Sequence, residues 1–138
     1  MTRFAIDAPT AVRLARENVT VPAEHQLVAP TLLRSEVLSM LYRDVRRGEL
    51  DPQEARALLD RVTTTRMRLL GDRVSRATAW RIADQLDWAD TTRAEYVAVA
   101  QLQADFFVTA DDELATVVAD LVALAPFDAL RPGAPHLP

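Results

Sequence analysis

The 138-residue chain contains no cysteine and no lysine. The first absence excludes a disulfide framework, a thiolate-ligated zinc and a thiol nucleophile, and it suits a reducing compartment. The second excludes the phosphate-gripping lysine of a P-loop and any Schiff-base lysine; all sixteen basic residues are arginine. Long apolar runs are missing too. None approaches the roughly 18 residues that mark a membrane-spanning helix, and the opening MTRFAIDAPT lacks the apolar core of a signal peptide. We therefore expect a soluble, cytoplasmic protein with no membrane partner. The length suits one domain, expected over residues 1–130, with a proline-rich tail, RPGAPHLP, over 131–138.

The charge that is present is unevenly spread. Residues 1–33 carry three Arg and three acids, residues 34–81 eleven Arg and seven acids, and residues 82–138 two Arg and ten acids. A basic middle of this kind meets phosphates or forms a solvated helical face. Arg34, Arg43, Arg46 and Arg47 lie together in it, where they could steer an RNA backbone.

Short apolar runs alternate with helical patterns. RFAID reads as a strand ending in an acid, and APTAVRLAREN as a helix with proline in its first turn. HQLVAP is a second strand, stopped by Pro30, and residues 31–47 form a long helix with Leu33, Val37, Met40 and Leu41 on one face. DPQEARALLDRV starts a helix, with Asp51 at the N-cap, proline after it and Glu54 three residues on. RMRLL is a third strand, RVSRATAWRIADQLD a helix, residues 91–103 another, DFFVT a fourth strand, ADDELATVVADL a helix and VALAP a closing strand. This order predicts an α/β layer structure with a mostly parallel sheet, whose functional groups gather at the carboxyl ends of the strands.

Asp7 ends the first strand and Asp111 follows the fourth, positions that equally suit helix N-caps. On a helical wheel Glu36 falls between Leu32 and Met40 and beside Leu33, so it leaves the apolar face, where an ionised carboxylate is costly unless paired or bound to a metal. Asp7, Glu36 and Asp111 together make a candidate site for Mg²⁺ or Mn²⁺, both oxygen-seeking ions. Such sites support water attack on a phosphodiester. Thr109, two residues before Asp111, is a candidate contact to phosphate or metal-bound water, or a structural strand-end residue. His25 and His136 fall in expected loops and fit no metal spacing, and Trp80 and Trp88 flank a helix as core or interface groups.

From FAIDAPTAVRLA through APTLLRSEVLSMLYRDV to AEYVAVAQLQADFFVTADDELA, the chain resembles the PIN-domain ribonucleases, among them the VapC toxins of toxin–antitoxin pairs. The resemblance implies a PIN-like three-layer α/β/α sandwich and a metal-dependent endoribonuclease acting on cellular RNA. It also implies a homodimer and inhibition by a cognate VapB-like antitoxin. Asp7 in AID matches the family's first acid, Glu36 in RSEVL the second and Asp111 in VTAD the fourth. The third ordinarily stands three residues before the tyrosine, and here that position is Arg93.

Arg93 shares its wheel face with Tyr96, Val97 and Ala100, and a buried guanidinium needs acidic partners. Our expectation is that it sits among Asp7, Glu36 and Asp111 and takes up part of the metal's charge, since its planar fork suits carboxylates. Asp90, one turn earlier, is a substitute ligand or a helix N-cap. The sequence leaves open an active nuclease, with Asp7, Glu36 and Asp111 holding the metal despite Arg93. It leaves open equally a weakened PIN domain that binds antitoxin or RNA, with Arg93 in the cation site. A phospho-receiver would also gather acids at strand ends, but that module normally needs a late-strand lysine.

Overall fold

A computed structural model of the chain describes residues 1–135. His136 and the last two residues of the expected tail lie outside them. The strands are β1 (Thr2–Ile6), β2 (His25–Pro30), β3 (Arg68–Leu70) and β4 (Phe106–Val108). The helices are α1 (Ala8–Arg16), α2 (Leu32–Arg46), α3 (Pro52–Thr64), α4 (Arg73–Gln85), α5 (Thr92–Gln103) and α6 (Asp112–Val118), and a 3₁₀ turn covers Phe127–Leu130. All strand pairs are parallel, in the order β3-β2-β1-β4. The result is a three-layer α/β/α sandwich.

The interior strands are apolar on both faces because helices cover both. Phe4, Ala5 and Ile6 of β1 and Leu27 to Pro30 of β2 are all buried. On one side α1, α2 and α3 pack together; on the other α5 lies across β1 and β2 and against α4. Ala94, Ala98 and Ala100 let α5 approach closely, and Tyr96, Val97 and Val99 fill the remaining space. The stripe Leu33, Val37 and Leu41 seats α2, with Met40 at its half-buried margin.

Local sequence accounts for the helix starts. Asp7 caps α1, Asp72 caps α4 in a reciprocal box with Ser75, and Asp111 caps α6. Asp51 caps α3 by accepting from the N–H groups of Gln53 and Glu54, which satisfies two of the donors a helix start leaves free.

Three expectations need correction. VALAP does not form a strand; it touches the sheet at one bridge, Leu124 beside Phe107, because β4 is only three residues long and offers little edge to pair with. His25 is not in a loop but opens β2, its ring edge-on to Phe4 at 5.1 Å between centroids. Of the two places expected for Trp80, the core is excluded: it is 73% exposed, because its place on α4 faces away from the stripe Thr78, Ala79, Ile82 and Ala83 that α4 buries. No described helix is long and apolar enough to cross a membrane.

Candidate active site

The chain order β1→β2 runs one way across the sheet, and β4 joins β1 on the other side. The crevice beyond the carboxyl ends of β1 and β4 is thus the point where connections diverge, the usual ligand position in an open parallel sheet. The register Ile6↔Val108 sets the next residues, Asp7 and Thr109, side by side there.

Asp7 is 6% exposed. Its Oδ1 accepts from the Thr10 backbone N–H (3.0 Å) and the Thr10 hydroxyl (2.5 Å), and its Oδ2 accepts from the Thr109 hydroxyl (2.5 Å) and the Ala110 N–H (3.2 Å). These bonds compensate its desolvation. The Thr10 hydroxyl also has the Val108 carbonyl within reach at 3.3 Å. Since hydroxyls rotate, two of Asp7's four partners can turn away and expose lone pairs, whereas the backbone donors hold the carboxylate in place.

Glu36 leaves α2 half-buried, as the wheel requires, and one of its oxygens, Oε1, accepts the Tyr96 hydroxyl from α5. Burial, this bond to Glu36 and the charges of Glu36, Asp7 and Glu95 all push the Tyr96 hydroxyl above the ordinary tyrosine range. Tyr96 therefore keeps its proton and serves as a donor. Glu95 is pushed up too, first by burial and then by the charge of Glu36. Of these acids Glu36 bonds the tyrosine directly, and the ion pairs found among the described residues involve none of Asp7, Glu36 and Glu95.

Asp111 is brought near only indirectly. Its N–H donates to the Thr109 hydroxyl at 3.1 Å, and that hydroxyl donates to Asp7. The carboxylate itself is exposed and caps α6 through the Leu114 N–H. Asp90 is exposed and accepts the Thr92 N–H at 3.0 Å, so it caps the start of α5 from one residue before the N-cap position, Thr91. Arg34 is exposed near the start of α2.

The expected place of Arg93 is overturned. It is exposed, its guanidinium carbon lies 4.6 Å from the centre of the half-buried Trp88 ring, and it pairs with no acid among the described residues. Burying a guanidinium among carboxylates carries a large desolvation cost, and the Trp88 face offers a partner that leaves the charge in water.

The residues that sequence reasoning missed are Thr10, Glu95 and Tyr96 in its role as donor. The Asp7-x-x-Thr10 spacing, an N-cap followed by a hydroxyl at the third helical position, was a signal for Thr10. Among the described residues no three His, Asp or Glu side chains form a ready-made cation cage. Asp7 and Glu36 are oxygen donors, the ligand type of hard cations, and Mg²⁺ in general keeps several waters and takes only one or two protein carboxylates.

In overall structure the chain is similar to PAE2754 from Pyrobaculum aerophilum, with a TM-score of 0.70 and 21% identity over 94% of this chain and 93% of that one. It is also similar to VapBC-1 from nontypeable Haemophilus influenzae, with a TM-score of 0.59 and 11% identity over 91% of this chain and 98% of that one. The chain shares their fold. No protein-family model and no curated protein matches the sequence. At these identities the likeness is one of architecture, and the chemistry rests on the residues at the β1–β4 crevice.

Proposed function

We propose that the chain is a VapC-like toxin, a Mg²⁺- or Mn²⁺-dependent endoribonuclease acting on cellular RNA and neutralised by a VapB-like antitoxin. What carries the reading is a pair of acids from distant parts of the chain: Asp7, at the carboxyl end of β1, held by Thr10, Thr109 and Ala110, and Glu36, on α2, held by the Tyr96 hydroxyl, with no basic side chain among the described residues paired to either. The fold shared with VapBC-1 supports it.

Asp7 and Glu36 would hold the ion, with Asp111 reaching it only if its carboxylate leaves the α6 cap; Asp90 is the more distant substitute. Once bound, the metal would polarise a phosphoryl oxygen and activate water. The chain's own contribution is orientation. Two backbone-anchored bonds fix Asp7, and Tyr96 occupies one oxygen of Glu36 and leaves the other available. Thr109 and Arg34 would contact the substrate, Thr109 through its hydroxyl and Arg34 through charge, with Arg43 and Arg46 exposed further along α2 and Arg47 exposed just past its end. Leu38 and Tyr42, one turn apart on α2 and 55% and 62% exposed, supply an apolar strip for a homodimer.

The test is Mn²⁺ calorimetry together with cleavage of total RNA by the wild type, Asp7→Asn and Glu36→Gln. Loss of both binding and cleavage in the variants supports the reading. Cleavage that survives EDTA, or that is unchanged in Glu36→Gln, defeats it. A second reading has its own support in the lack of an acid at position 93 and of a three-acid cage among the described residues. In it the domain binds antitoxin or RNA without cutting, and a gel-shift measurement run beside the cleavage assay would show RNA bound but intact.

A further inference from the structure

At the other end of the sheet, where β1 and β2 begin, a groove of about 920 Å³ runs between the last turns of α1 and α3, the loop before β2 and the start of β3. Its floor is aliphatic, made by Leu14, Val19, Val21, Leu27 and Met67. Among the described residues its charged side chains are Arg61, Arg66 and Arg68, and no Asp or Glu lines it.

Arg61 has a structural duty, donating to the Ala15 carbonyl at 3.1 Å near the end of α1, where a cation offsets the helix dipole. No such duty explains the others. Arg66 and Arg68 lie beyond α3, are exposed and form no ion pair among the described residues. Arg68 also opens β3, the outer strand of the sheet, whose far edge offers free backbone groups.

We propose that this groove binds an extended acidic segment of a partner protein, with aliphatic side chains on the floor and carboxylates on Arg66 and Arg68. Alternation of apolar and acidic residues along a strand would present the two chemistries to the two surfaces. The floor argues against nucleic acid. Single-stranded RNA is gripped by aromatic platforms as well as by charge; among the described residues no Phe, Tyr or Trp lines this groove, and its one ring, His25, is already engaged edge-on with Phe4. The proposal is independent of the acids at the opposite end.

A display library of random ten-residue peptides, selected on the full chain, tests it. We expect the enriched peptides to combine Glu or Asp with Leu, Ile or Val, and to bind an Arg66→Glu/Arg68→Glu double variant about tenfold more weakly or worse. They should shift the methyl resonances of Leu14, Val21 and Leu27. Both substituted side chains are exposed, and a circular-dichroism melt equal to wild type would show that the variant is folded. No enrichment, enriched peptides without acids, or equal binding to the double variant would overturn the proposal. So would a single-stranded RNA oligonucleotide shifting the same methyls when no acidic peptide does.

Discussion

The hydroxyl of Thr109 donates to Asp7 at 2.5 Å while accepting the N–H of Asp111 at 3.1 Å, so one small side chain ties the acid that ends β1 to the acid that starts α6. The tie exists because β1 and β4 are paired in register, with Thr109 one residue past Val108. Thr109→Val keeps the shape and removes both bonds. Leaving a buried carboxylate short of a donor costs about 1–3 kcal/mol. We expect urea denaturation to show a loss of that size for Thr109→Val and most of it regained in Thr109→Ser. A valine variant as stable as wild type would mean that the Thr109 bond adds nothing to Asp7.

Tyr96 is one of the chain's two tyrosines, the other being Tyr42. Because its hydroxyl is pushed above the ordinary range, the unfolded chain loses this proton at lower pH than the folded one does. The stability tied to it is therefore whole below about pH 10 and falls as pH rises further. In a Tyr42→Phe background, absorbance near 295 nm should show no tyrosinate while the protein stays folded, then rise with alkaline unfolding. Titration near pH 10 in the native state would contradict the buried donor.

Much of this arrangement can be read along the chain, and the parts that cannot share a physical reason. Asp7 and Asp111 are local features, an acid between an apolar strand and a helix, and Glu36 is betrayed by the apolar stripe it interrupts. A wheel also gives the direction in which a side chain leaves its helix, which served for the short, stiff positions of α5. It says nothing of where a long chain ends. The wheel places Arg93 with Tyr96 and Val97, but the residue is exposed and its guanidinium lies over Trp88, in the preceding loop. Glu95 was passed over because its meaning comes from Glu36, on an element distant in sequence. VALAP has strand composition, but a strand needs a partner edge, and β4 supplies only one bridge.

Glu95 gives a pH-dependent test. Its carboxyl titrates higher in the folded chain than at the ordinary value of 4.5, because of burial and then Glu36. Below that value both states hold the proton and no penalty exists; as pH rises through the window above it, the unfolded state ionises first and the fold loses stability. Glu95→Gln should thus be more stable than wild type at pH 7, by roughly 0.5 kcal/mol after solvent screening, with the gap closing near pH 4. A gap equal at both pH values would assign the effect to packing instead of charge.

Asp87 concerns the fold alone. It follows Leu86, the C-cap of α4, in the left-handed region, φ 56°, and places a negative charge at the negative end of a helix dipole. Both features favour glycine there. Asp87→Gly should raise stability by about 1 kcal/mol, seen as a higher urea midpoint at unchanged slope. A lower midpoint would show that the Asp87 side chain makes a compensating contact.

Arg93 is where the departure from the expected acid pattern and the geometry of the site meet. A cation within a few ångströms of a divalent ion would repel it by several kcal/mol at an effective dielectric near 20. Instead the guanidinium is exposed over Trp88 and pairs with no acid among the described residues. Arg93→Ala should therefore leave Mn²⁺ affinity within about twofold of wild type in calorimetry, and lose about 0.5–1 kcal/mol of stability with the exposed cation–π contact. A tenfold or greater gain in affinity in the alanine variant would instead mean that the arginine swings back over the acids in solution. In that case the weakened-domain reading, with a cation of the chain's own at the site, would become the better account of the crevice.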